Sequence, residues 1–304
     1  MNRPYVNLVF DKLFPNILRC RNKENDMISF ALLIGPLSLA VGILLLLIGL
    51  AALLWLSGKL EGYDPVNEML FRDNGALALR YALFSIAVVF ALLAIFDRSQ
   101  GDAGAWFFTQ HALLAVILIY LSRYLNDWLI LYHFSNNREV VQEKNVAVAF
   151  VEGATYLASA YVVGGAFYDW ENGIAVALVW FLIGQLMLIL LAFLYRLAGK
   201  GVDAALDEQN LAVGIDLGSF LLSGGMVCGA VISGPSQGWR SDISTVALYL
   251  GAWVLLMLAA HVISDKLTFR ATRLGEEVME QRNIAAALFK AVIFLALTMG
   301  YVHG

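Results

Sequence analysis

Four charged residues stand where the surrounding sequence excludes charge. Arg80, Glu152, Asp216 and Lys290 each lie inside an apolar run, six or seven places after an asparagine: Asn74, Asn145, Asn210 and Asn283 in turn. A lone charge at the centre of a bilayer costs about 2.5–3.5 kcal/mol on insertion scales, so residues of these types at this depth call for partners. The chemistry open to them is ion pairing, the lining of a route for a polar or charged solute, or, for the two cations, snorkelling back to the membrane rim.

Helical rise puts all four roughly 9 to 10 Å beyond their asparagines, at one depth. Arg80 and Asp216 occupy the sixth place after the asparagine, Glu152 and Lys290 the seventh, so each charge has an opposite at the corresponding place of the other half of the chain. At 100° per residue the seventh place projects about 340° from the asparagine and the sixth about 240°. The expectation is two intramembrane ion pairs or one network, which either fixes which helix meets which or forms the polar element of a pathway.

The elements that position these charges are repeated. "DNGALA" from Asp73, "KNVAVA" from Lys144, "QNLAVG" from Gln209 and "RNIAAA" from Arg282 each open an apolar helix. An asparagine there can accept hydrogen bonds from the free N–H groups of the first turn. The other reading is a ring of four amides that shapes a pore mouth at one rim. Small residues follow at the fourth and eighth places: Ala78 and Ala82, Ala149 and Gly153, Gly214 and Gly218, Ala287 and Ala291. Such faces let helices approach closely in lipid, so the four helices are expected to pack together.

The environment follows from composition. The chain has 304 residues, 60% hydrophobic and 14% charged, with mean hydropathy +0.73, which a soluble domain does not reach. Eight apolar runs are long enough to span a bilayer: 27–56, 74–96, 105–134, 145–168, 173–197, 210–234, 244–267 and 283–302. Successive asparagines are separated by two such runs, so each repeat re-enters from the same side and the repeats are parallel. The predicted fold is all-α and polytopic: eight transmembrane helices as four parallel helix-hairpin repeats in two pseudo-symmetric halves, 27–168 and 169–304. Residues 1–26 precede them as a basic interfacial helix or tail.

Alternate repeats match best. Asp127 and Asp265 stand at the same distance before Asn145 and Asn283, the Glu139-Val140 and Glu277-Val278 pairs coincide, and "LSGK" from Leu56 parallels "LAGK" from Leu197. The third repeat departs, with Ala204 where the others have Glu68, Glu139 and Glu277. The acidic loop before each helix, the Asn-x-Ala-x-Ala/Gly start and "GIAVALVWFLIGQL" from Gly173 resemble the bacterial YjfL-like membrane proteins, domain of unknown function 350. The resemblance covers nearly everything after residue 40. It implies an eight-helix tandem member and carries no activity to any residue.

A secondary polar route is open to Asp127, Asp265, His261 and Gln185. Asp127 follows Arg123 by four places and Asp265 follows His261 by four, so local pairing accounts for them equally. Gln185, in mid-helix, serves either a helix–helix hydrogen bond or the route. No nucleophile–base arrangement, glycine-rich nucleotide loop or metal-ligand spacing is present, so no catalytic residue, no metal and no cofactor is assigned. Nothing points to nucleic acid.

Set apart from the N-terminal tail, the loop cations concentrate on the asparagine side, which favours the cytoplasm for that side of a bacterial inner membrane; the five basic residues of the tail count the other way. Two functions remain: a channel or transporter of a small polar or charged solute through the four charges, or a non-catalytic scaffold. The scaffold would recruit a cytosolic partner through Glu139, Glu143, Glu277 and Glu280. The lipid bilayer is the common partner, and self-association is compatible with both.

Overall fold

The computed structural model describes residues 49, 51–52, 54–98, 104–135, 137–168, 173–234, 236–264 and 273–303, without the side chains of 96–98 and 104–109. The expected span at 27–56, the N-terminal segment and Asp265 therefore lie almost wholly outside the described residues. Contacts divide the chain into two units, Met1–Leu56 and Ser57–Gly304. Of the first unit, the described residues are helical.

In the second unit, seven helices are long and apolar enough to cross a membrane. They are α2 (Gly75–Arg98), α3 (Gly104–Leu129), α4 (Val146–Ala166), α5 (Ile174–Ala198), α7 (Leu211–Ile232), α8 (Trp239–Ile263) and α10 (Ile284–His303). Three short helices, α1 (Pro65–Leu70), α6 (Val202–Asp207) and α9 (Leu274–Met279), and a π-helical turn (Arg138–Gln142) fill the loops just before α2, α7, α10 and α4. Among the described residues there is no strand. The protein is an all-α, multi-pass membrane protein.

α4 and α7 form the core. Their membrane windows are 78% buried, against at most 39% for the other five. They pack on each other, with α2 on α4 and α10 on α7, so the four asparagine-led helices follow one another in chain order; α3, α5 and α8 lie against them. The α4–α7 contact depends on absent side chains. A Cβ on Gly214 would meet the Ala147 backbone, one on Gly225 the Ala158 backbone, one on Gly229 the Tyr161 carbonyl, and one on Gly165 the Gly229 carbonyl. Backbone approach of this kind is how helices associate where lipid supplies no hydrophobic drive.

The small-residue faces look back along the chain. Gly214 and Gly218 of α7 meet Ala147 and Phe150 of α4, and Gly153 of α4 meets Leu83 of α2. In the first repeat the expectation fails: Ala78 and Ala82 are exposed, and α2 buries Ala76, Leu77, Phe84, Ala87 and Ala91 instead. The physical reason is position, because a face that docks on the preceding asparagine helix has none to meet in the first repeat.

Every asparagine helix starts the same way. Asp73, Lys144, Gln209 and Arg282 take left-handed backbone at φ 51°, 53°, 59° and 54°, and the asparagine after each caps the helix. Oδ1 of Asn145 accepts from Ala147 and Val148 N–H, that of Asn210 from Ala212 and Val213, that of Asn74 from Leu77 and that of Asn283 from Ala286. The amide nitrogens reach forward: Asn74 donates to the Val140 and Val141 carbonyls, Asn145 to Leu206, and Asn210 to Val278 and Met279. The preceding residues reach back, Lys144 to the Arg72 carbonyl, Gln209 to Glu143 and Arg282 to Glu208. Consecutive repeats are laced along one rim.

Candidate functional site

Asn74, Asn145 and Asn210 each donate twice to carbonyl or carboxylate oxygens and Asn283 donates to Glu277, so capping and contact between repeats take most of what the pore-mouth reading would offer a solute. Asn145 and Asn283 also donate to Glu139 and Glu277 at 3.2 and 3.0 Å. In the third repeat Ala204 offers no such carboxylate, and Asn210 takes its carbonyls from the next repeat alone.

The mid-helix charges come together in two pairs. Arg80 Nε lies 3.0 Å from Glu152 Oε2, between α2 and α4, and Lys290 Nζ donates to Asp216 Oδ2 at 2.6 Å, between α10 and α7. The partner of each charge is thus its neighbour in the chain order of helices, rather than the pseudo-symmetric counterpart that the duplication suggested. Geometry explains the difference. In each pair a sixth-place residue on the earlier helix meets a seventh-place residue on the later one, because the seventh place lies beside the backward-looking small face. Where α4 meets α7 the same two places hold Val151 and Leu217, both fully buried, so no ion pair forms from these places between the halves.

The first pair belongs to a longer buried chain. Arg80 also donates through Nη1 to Asn137 Oδ1 at 3.1 Å, and its Nη2 lies 3.9 Å from Glu61 Oε2. The other Glu61 oxygen meets the guanidinium of Arg123. Signs alternate along Glu152, Arg80, Glu61 and Arg123, with every side chain at most 5% exposed. Alternation is what such burial demands, since an unpartnered ion in this setting costs several kcal/mol. Burial pushes the Glu61 carboxyl up from its ordinary value of 4.5, against the opposing pull of Arg80. Arg123, expected to pair locally with Asp127, makes a tertiary pair with Glu61.

The second pair is built differently. Asp216 Oδ2 accepts from the Tyr195 hydroxyl as well, at 2.6 Å, and Lys290 Nζ sits 5.4 Å from the centroid of the Phe294 ring. Asp216 and Lys290 border a cavity of about 1010 Å³ among α5, α7, α8 and α10, walled by Phe220, Val254, Met257 and Phe294. Lys200, His261, Arg273, Glu276 and Glu280 stand on its asparagine-side lining. His261 therefore shares a cavity with Lys290.

Of the remaining secondary-route residues, Gln185 is buried and its Oε1 accepts from Ser159 Oγ, which in turn accepts from Asn126 Nδ2, a chain that ties α3, α4 and α5 together. Asp127 is half-buried on α3. Among the described residues no three His, Cys, Asp or Glu side chains gather as a metal site.

One ion pair falls in each half of the chain, and so does each match to a known family. The family model described as Domain of Unknown Function (DUF350) matches residues 9–167 and again 169–301. The chain belongs to this family. Two matches in tandem make it a duplicated DUF350 member, with Arg80–Glu152 in the first copy and Asp216–Lys290 in the second. A UPF0719 transmembrane protein of Aquifex aeolicus (strain VF5) is 24% identical over 237 residues, which cover 76% of this chain and 85% of that protein. No solved structure matches the chain.

Sequence reasoning about this DUF350 chain missed Glu61, Tyr195 and Asn137 as partners of the charges. Glu61 sits in the polar "GKLEGYD" connection, where nothing periodic marks it. Tyr195 precedes Arg196 near the end of α5 by one place and reads as an interfacial aromatic. Only the packing of α5 on α7 turns its hydroxyl to Asp216.

Proposed function

We propose that this protein is a channel or transporter for a small polar or charged solute, rather than an enzyme, with Asp216 and Lys290 as its solute-facing element. The observation that carries the reading is the cavity of about 1010 Å³ that this intramembrane pair borders. A buried pair that only fixed helix packing would need no open volume beside it, and ionisable groups held in a membrane-embedded cavity commonly mark solute routes. The Glu152–Arg80–Glu61–Arg123 chain, closed in on every side, serves as the rigid counterpart in the other half.

The reading includes the full repeat architecture: eight spans as four parallel hairpins, halves at 27–168 and 169–304, in a bacterial inner membrane with the asparagine-side loops in the cytoplasm. The scaffold alternative draws less support, because Glu139 and Glu277 turn their carboxylates to Asn145 and Asn283 instead of outward.

Purified protein in liposomes tests it. Flux of inorganic ions, amines and amino acids is compared between the wild type and Asp216→Asn, with insertion verified for both. A saturable flux that falls about tenfold or more in the variant is expected, as a lost charge-assisted contact predicts. Identical flux across all three solute classes would remove the proposal.

A further inference from the structure

The second ion pair is incompletely used, and what it leaves open defines a ligand. Both donors that reach Asp216, the Tyr195 hydroxyl and Lys290 Nζ, converge on Oδ2. Among the described residues Oδ1 has no hydrogen-bond partner, although Asp216 is only 3% exposed. A buried carboxylate oxygen left in this state is costly unless a donor reaches it at some stage of function. Lys290 has three N–H donors and gives one to Asp216, with its ammonium beside the Phe294 ring. Both residues line the same cavity. One wall thus carries a spare acceptor on an anion next to spare donors on a cation.

We propose that this cavity binds a zwitterion of the amino-acid type: its ammonium donates to Asp216 Oδ1, its carboxylate accepts from Lys290 Nζ, and its apolar side chain lies against Val254, Met257 and Phe294. Charge balance selects this class. Asp216 and Lys290 cancel each other, so a simple cation or anion bound here would leave a net charge among Phe220, Val254, Met257 and Phe294, where an uncompensated ion is unfavourable. A ligand with both charges leaves none and satisfies both open groups. Its side chain finds the apolar surface that makes up most of the wall, and the charges at the lining are of both signs: Glu208 is paired with Arg282 and Arg273 with Glu276, which leaves Lys200 and Glu280 to offset each other. The first pair has no such capacity, since Arg80 is already divided among Glu152, Asn137 and Glu61.

The proposal rests on the transport reading for its purpose but not for its test, which is equilibrium binding to the full-length protein in detergent. Three matched probes are used: norleucine, pentylamine, which is norleucine without its carboxylate, and hexanoate, which is norleucine without its amine. Saturable norleucine binding, with both analogues weaker by about tenfold or more, is expected, each having lost one charge-assisted contact. Asp216→Asn and Lys290→Met should each abolish the preference for norleucine over the analogues. Should either variant fail to fold, Val254→Trp fills the wall without touching the pair and is expected to weaken norleucine binding by a similar factor. Pentylamine or hexanoate binding as tightly as norleucine, or no saturable norleucine binding, would overturn the proposal. Flux of another solute that still depends on Asp216 would then leave the transport reading standing, whereas norleucine binding without flux of any solute would remove transport and keep the site.

Discussion

Asn145 and Leu206 join two repeats through one side chain: the amide nitrogen donates to the Leu206 carbonyl at 2.8 Å while Oδ1 caps the helix that begins at Val146. Asn74 and Asn210 act in the same way, but Asn283, in the last repeat, turns its nitrogen to Glu277 of its own loop. The same residue type at the same place thus carries a double duty in three repeats and a single-repeat duty in the fourth.

Asn145→Ala should therefore cost more than Asn283→Ala. Both lose a cap, worth about 1 kcal/mol. Asn145→Ala also removes the bond to the Leu206 carbonyl, which keeps the Gln209 N–H as a donor, at about 0.5–1.5 kcal/mol more. Thermal unfolding in detergent, followed by tryptophan fluorescence, reads the difference. Equal shifts in Tm would mean that the bond between repeats adds nothing.

The left-handed residues before the asparagines separate strain from contact. A non-glycine residue in this region carries about 1 kcal/mol of strain that glycine relieves. Arg282 recovers it by donating to the Glu208 carbonyl and pairing with the Glu208 carboxylate at 2.5 Å. Asp73, first in the series, has no earlier asparagine loop to reach. Asp73→Gly should then raise Tm, whereas Arg282→Gly should leave it unchanged or lower it. A rise in both would show that the backward bonds of the rim contribute no net stability.

Much of this arrangement is legible in the sequence, to a definable depth. The seven spans follow from apolar length alone, and the asparagine caps from residue type and place, because both are local properties. That Arg80 stands level with Glu152, and Asp216 with Lys290, also follows, from helical rise. Which charge meets which does not, since it depends on how each helix is rotated toward its neighbour. Ala78 and Ala82 show the same limit: they match Gly214 and Gly218 in pattern, yet only the order of helices decides that one face is covered and the other exposed. Glu61 lay beyond reach for another reason, because a carboxylate at a helix end, in a polar stretch of sequence, carries no sign that it meets Arg80 and Arg123.

The core contact predicts a sharp contrast between two helical glycines. A Cβ at Gly225 would run into the backbone and Cβ of Ala158, whereas one at Gly251 meets nothing within 4 Å. Gly225→Val should destabilise by about 1–3 kcal/mol or more, because backbone cannot move aside as a side chain can. Gly251→Ala should stabilise by about 0.5–1 kcal/mol through helix propensity. Matching Tm values for the two variants would contradict the close approach of α4 and α7.

Glu61 makes stability depend on pH in a direction that can be worked out. Its carboxyl is raised from 4.5 by burial, so the folded state holds the proton more tightly than the unfolded state does. The stability this contributes is whole below the ordinary value and is lost as pH rises through the raised one, beyond which the carboxylate is buried as an ion between Arg123 and Arg80. Wild type should accordingly lose stability relative to Glu61→Gln as pH climbs from about 4 toward neutral, and the gap should level off once Glu61 is ionised. Arg123→Met, which removes one of the two guanidinium partners, should move that step to higher pH. A gap between wild type and Glu61→Gln that stays constant across the range would show that the proton on Glu61 plays no part, and that the alternating chain is held by hydrogen bonding alone.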